Sequence, residues 1–155
     1  MERTELIKEI CRLKQHEEGG HYSESYTSID SVGCRPIAGS IYFLLNEDEI
    51  SHFHEIDCDE IWYFHEGCGM KITVLINGRK EVYLLGNDFS RGQRAMAVIP
   101  KGCIFGAENL DPKGYTFVSC VTAPKFRYEG FRLVGKDEIR SCFADLYDSV
   151  SYLAY

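Results

Sequence analysis

The strongest constraint in this sequence is its middle. From about residue 20 to residue 131 it is a succession of short runs rich in β-branched and aromatic residues, each closed by turn chemistry. The runs fall at 40–45, 60–64, 71–76, 80–85, 95–99 and 115–121. Asn77-Gly78 separates Ile72–Ile76 from Val82–Leu85 and predicts a hairpin with a primed turn, because both residues tolerate positive φ. Both faces of that hairpin carry apolar residues, so alternation alone does not say which face meets the core. The ends read differently. Leu6, Ile10 and Leu13 fall at i, i+4 and i+7, with Ile7 and Cys11 widening the stripe, and predict a helix over 5–14 capped by Thr4 and stopped by Gly19-Gly20. Ile139, Phe143 and Leu146 repeat the helical spacing after a break at Gly135. Helix, roughly eight to ten short strands, helix: this pattern predicts an all-β barrel or sandwich with short terminal helices. A chain of 155 residues is expected to form one domain, 1–155.

Charge and cysteine usage narrow the function classes. With 17 basic against 24 acidic residues the net charge is −7, which lacks the cationic footprint that nucleic acid or an anionic membrane requires. No apolar run approaches the roughly 18 residues of a membrane span. The start, Met1-Glu2-Arg3-Thr4-Glu5, lacks the basic-then-apolar order of a secretory signal. The seven cysteines are scattered, odd in number and without a Cys-x-x-Cys pair, so they are expected to be reduced thiols. A cytoplasmic protein acting on a small molecule is the expectation.

The chemistry concentrates at residues 52–67. On an extended strand His52 and His54 would direct both imidazoles to one face. Asp57-Cys58-Asp59 can turn the chain into a neighbouring strand on which Glu60, Trp62 and Phe64 share a face, with Ile61, Tyr63 and His65 on the other. His52, His54 and Glu60 are the ingredients of a 2-His-1-carboxylate site for iron, nickel, manganese or zinc. Trp62, the one tryptophan, is the preferred wall of a ligand cavity, with Phe64, Tyr22 and Tyr42 as further aromatic candidates. In the segment leading into the barrel Glu18, Tyr22 and Glu24 lie on one side if it is extended. Arg35, held extended by Pro36, would suit a carboxylate or phosphate at the rim.

Several of these motifs, in order, resemble the cupins. His52-Phe53-His54, Glu60 and Gly67 are similar to the first cupin motif, and Pro100-Lys101-Gly102 after Gly92 to the core of the second. His16-Glu17-Glu18-Gly19-Gly20-His21-Tyr22 resembles the His-Pro-Glu-Gly-Gly-Tyr-Tyr signature of a small single-domain cupin branch of undetermined function. Asp59-Glu60-Ile61-Trp62, Leu84-Leu85-Gly86 and Thr122-Ala123-Pro124-Lys125-Phe126 with Phe131 extend the resemblance from about Leu6 to Leu133. It implies a double-stranded β-helix, or jelly-roll barrel, with a cavity in its mouth, and a homodimer. It also implies kinship with sugar-nucleotide epimerases and other small-acid and sugar binders. The departures are informative. The gap between His54 and Glu60 is longer than metal-binding cupins usually have, His52 is an addition to the branch pattern, and Phe105 stands where the fourth metal ligand would be.

Three functions follow as expectations. The first is an isomerase or epimerase of a sugar-like or keto compound, with His52 or His54 as general base and Tyr42 or Tyr63 as proton donor, or with a divalent metal polarising the carbonyl. The second is a non-catalytic ligand-binding module using Trp62, Glu60, Phe64, Tyr22 and Arg35. The third is a metal-dependent oxygenase, weakened by Phe105.

Overall fold

The computed structural model describes residues 2–155. The chain opens with helix α1 (Arg3–Ile10) and runs through strands β1 (Lys14–Gln15), β2 (His21–Thr27), β3 (Ser31–Val32), β4 (Arg35–Pro36), β5 (Gly39–Leu45), β6 (Ile50–Glu55) and β7 (Asp59–Gly67). It continues with β8 (Met70–Ile76), β9 (Arg79–Leu85), β10 (Met96–Ile99), β11 (Ile104–Asn109), β12 (Thr116–Ala123) and β13 (Arg132–Leu133), and closes with helices α2 (Lys136–Cys142) and α3 (Tyr147–Val150). Two antiparallel sheets carry the architecture: six strands in the order β1-β2-β5-β12-β7-β10, and five in the order β13-β6-β11-β8-β9. β3 and β4 form a separate small ribbon.

The expected hairpin is present, with Asn77 at φ 51° and Gly78 at φ 72°, and Ile76 pairs with Arg79 across it. The first helix is shorter than its apolar stripe predicts. It starts at Arg3 without a side-chain cap, places Thr4 inside, and ends where Arg12 takes a left-handed φ of 54° to enter β1. Propensity loses here to the pairing of Lys14 and Gln15 with β2.

Between the sheets lies the main core, built from Phe43, Trp62, Met70, Ile72, Phe105 and Val118 among others. A second core sits on the far side of the five-stranded sheet, where Val134, Ile139, Val150 and Leu153 from the C-terminal segment cover Phe53, Leu75 and Ile104. Burial of these apolar side chains, each contributing roughly 1.5–3 kcal/mol, holds the helices down on the sheet. No helix among the described residues is long and apolar enough to cross a membrane. All seven cysteines are free.

Candidate active site

Strand β6 sets the site, and a bulge decides which of its side chains belong to it. Against β11, His54 pairs with Phe105 while Ser51 pairs with Ala107, so His52 and Phe53 together stand opposite the single residue Gly106. A Cβ on Gly106 would lie 2.8 Å from the Ser51 carbonyl oxygen, so a residue without one is required there. The extra residue breaks the two-residue alternation. Ser51 and His54, three apart, face the interior, whereas Phe53 joins the second core. His52 turns to the C-terminal segment, its Nδ1 3.3 Å from the Leu153 carbonyl oxygen and its ring against Tyr155. The expected convergence of His52 with His54 therefore does not occur.

What meets His54 instead is Glu18. The backbone at Glu18-Gly19 passes so close to β6 that a Cβ on Gly19 would sit 2.1 Å from the Ile50 carbonyl oxygen, and the His52 N–H donates to the Glu18 carbonyl. That approach brings Glu18 Oε2 to 3.1 Å from His54 Nε2, while Ser51 Oγ donates to Glu18 Oε1 at 2.8 Å. The proton count of this pair follows from its partners. His54 Nδ1 lies 2.7 Å from the His52 carbonyl oxygen, which can only accept, so Nδ1 carries hydrogen. In a neutral imidazole Nε2 is then bare. At 3.1 Å from a carboxyl oxygen, one proton must lie between the two groups. Burial pushes the Glu18 carboxyl up and the His54 imidazole down, so both favour the uncharged form, a carboxylic acid donating to imidazole. His16, also pushed down by burial, accepts the Glu18 backbone N–H on Nδ1 at 3.2 Å and positions the loop.

Glu60 enters from β7. It is 8% exposed, and burial together with the neighbouring Glu18 pushes its carboxyl up to about 7; His54, the Trp62 indole and the Cys120 thiol pull the other way. Trp62 Nε1 lies beside it at the cavity wall, buried, its N–H acting on the Glu60 carboxyl without closing a full hydrogen bond. The Cys120 thiol is held protonated by burial. These groups line a pocket in the barrel mouth, with Tyr22, Phe126 and Tyr128 at its sides. The Tyr22 and Tyr128 hydroxyls share a 2.9 Å hydrogen bond.

His54, Glu60, Trp62 and Tyr22 thus come together as the sequence suggests. The other candidates do not. Tyr42 packs on Phe117 and Tyr63 is 39% exposed, both on the outward face of the six-stranded sheet. Neither can deliver a proton to the cavity. Phe64 is absorbed by the main core. Arg35 donates to Asp57 at 2.7 Å and to the Lys125 carbonyl at 2.6 Å, so it braces the segment that carries Phe126 and does not line the cavity. The His52, His54 and Glu60 metal set does not fit either. His52 is on the wrong side of β6, and the Phe105 ring packs 4.1 Å from that of His54, in the position the fourth ligand would occupy. Among the described residues no group of three or more His, Cys, Asp and Glu is arranged to hold an ion.

Residues 4–134 match the Cupin_5 family, described as Cupin superfamily (DUF985). The chain belongs to this cupin family. Among solved structures the cupin is similar to protein SO0799 from Shewanella oneidensis, at 33% identity and TM-score 0.94, covering 100% of this chain and 99% of that one. A hypothetical protein from Leishmania major is similar at 26% identity and TM-score 0.91, with 99% of each chain covered. The uncharacterised protein YML079W of Saccharomyces cerevisiae is 28% identical over 151 residues, 83% of this cupin and 74% of the yeast protein. Oxalate decarboxylase from Bacillus subtilis, at 17% identity and TM-score 0.57 over 90% of this cupin and 36% of its own chain, shares the fold.

Proposed function

We propose that the barrel-mouth cavity binds a small keto or sugar-like compound and isomerises it by proton transfer. One observation carries this reading. Glu60, poised near neutrality, faces a Glu18–His54 pair that shares one proton in the same buried cavity. Two proton-handling groups in one buried site are what an enolisation needs. Glu60 as carboxylate takes the proton from the carbon beside a carbonyl. The C–H electron pair becomes the enol double bond, and the carbonyl oxygen receives the proton held by Glu18 and His54. Glu60 then returns its proton to the former carbonyl carbon while the hydroxyl on the adjacent carbon gives its proton back to the Glu18–His54 pair, so the C–O bond becomes the new carbonyl and both groups are reset. No step uses a metal, because the donor set does not fit one.

The test is carbon-bound hydrogen exchange. Hydroxyketones and aldoses are incubated with the protein in deuterium oxide, and loss of the signal beside the carbonyl is followed by NMR. Catalysed exchange with at least one compound, lost in Glu60→Gln, supports the reading. Saturable binding without exchange across the panel would leave a ligand-binding module. The free thiols fit a reducing cytoplasm. The homodimer implied by the resemblance would cover Tyr63, Met96 and Val98, which stand exposed on the outward sheet face; sedimentation velocity checks it.

A further inference from the structure

We infer that the cavity takes uncharged hydroxylated compounds and turns anions away, so that its ligand is a free hydroxy-carbonyl compound and not a sugar phosphate, a nucleotide sugar or a small dicarboxylate. The inference rests on the reading of the cavity as a ligand site and specifies its substrate class.

Glu18, Glu24 and Glu60 line the cavity, and Lys125 is the basic side chain facing them among the described residues. Its Nζ already lies 2.8 Å from Thr27 Oγ1 and 3.3 Å from Glu24 Oε2. His54 has both ring nitrogens engaged, one on the His52 carbonyl and one on Glu18, and His16 Nδ1 receives the Glu18 N–H. The Arg35 guanidinium is spent on Asp57 and the Lys125 carbonyl. A phosphate or carboxylate entering here would lose its hydration and meet one ammonium, Lys125, already neutralised by Glu24, in a field biased by a net charge of −7.

A second observation points to what does fit. Trp62 Nε1 is a buried donor that acts on the Glu60 carboxyl without closing a full hydrogen bond to it, which leaves room for a ligand atom between them. A hydroxyl accepts from an N–H and donates to a carboxylate at once, which neither a phosphate oxygen nor an ammonium can do. The Trp62, Tyr22, Phe126 and Tyr128 rings supply apolar faces for the C–H surface of such a molecule.

Trp62 is the one tryptophan of the chain and lines the cavity, so its selectively excited emission reports occupancy. Matched probes are titrated: fructose against fructose 6-phosphate, glucose against glucose 6-phosphate and uridine diphosphate glucose, dihydroxyacetone against its phosphate, with oxalate beside them. A saturable change with a free compound, at least about tenfold tighter than with its charged counterpart, is expected. Glu24→Gln, which releases Lys125, should narrow that ratio by strengthening the charged member. Equal or tighter binding of the charged members to the wild type overturns the inference while leaving proton transfer open. Binding of the free members without hydrogen exchange sinks the proposed reaction and leaves the charge selection standing. No response from any member, charged or free, overturns the inference, as does a ratio unmoved in Glu24→Gln.

Discussion

On the inward face of the six-stranded sheet, Glu60 and Trp62 of β7 face Thr122 and Cys120 of β12, all of them buried. On the outward face, next along the two strands, Tyr63 pairs with Ser119, with Tyr42 of β5 opposite Ser119 and His65 Nε2 2.5 Å from the Ser119 hydroxyl. Both faces carry groups able to donate and accept protons. They differ in access to water. Exposed to solvent, Tyr63 has water to hydrogen-bond and no wall to hold a ligand; buried, Glu60 has its affinity for a proton raised to the neutral range. The lesson is that residue type nominates a site and desolvation makes one.

The largest effect that would sharpen this contrast is on turnover. Glu60→Gln and His54→Ala should each lower catalysed hydrogen exchange by roughly 10²–10⁴-fold, the usual contribution of a positioned acid or base, as measured by NMR. Next comes the pH dependence of stability. Glu60 in the folded protein titrates near 7 against an ordinary value of 4.5, so between those pH values the folded state holds a proton that the unfolded state has released. Stability contributed by that proton is present below the unfolded value and lost as pH rises through the window. Glu60→Gln removes the effect, so its stability relative to wild type should climb from pH 4.5 to 7 by up to about 3 kcal/mol in urea titrations. His54, whose imidazole is pushed down by burial, acts in the opposite sense.

Smaller effects probe the bulge. Gly106→Ala forces a methyl group against the Ser51 carbonyl and should cost about 1–3 kcal/mol, read as a shifted denaturation midpoint. His52→Ala loses one hydrogen bond to Leu153, about 1 kcal/mol, and should leave exchange intact. Smallest of all, Tyr63→Phe and Tyr42→Phe should change neither turnover nor emission of Trp62. A loss in Tyr63→Phe equal to that in Glu60→Gln would erase the distinction between the two faces.

Much of the fold is legible in residue order because it is local. Asn77-Gly78 specifies its hairpin, and the spacing of Glu60 and Trp62 places both on one face of β7. The candidate site is legible only in part, for two physical reasons. A bulge is a property of two strands, so nothing in Ser51-His52-Phe53-His54 alone reveals that Gly106 will face two of these residues. The partner of His54 comes from Glu18, on a loop remote in sequence. Glu18 stands out in the sequence through the His16–Tyr22 signature and through sharing a side with Tyr22 and Glu24, yet neither says that it meets His54. Arg35 fails as a ligand contact because Asp57, a residue of the β6–β7 turn, claims its guanidinium.

The single extra residue at His52-Phe53 also shapes how such a scaffold can change. Replacing a side chain alters what a position presents, yet leaves which way it points. Removing either His52 or Phe53 would restore plain alternation, leaving one outward side chain between Ser51 and His54, whereas adding a residue elsewhere on β6 would turn its neighbours out of the cavity. Shifts in length, more than in identity, are thus the discrete route by which kindred barrels could exchange one set of reactive groups for another.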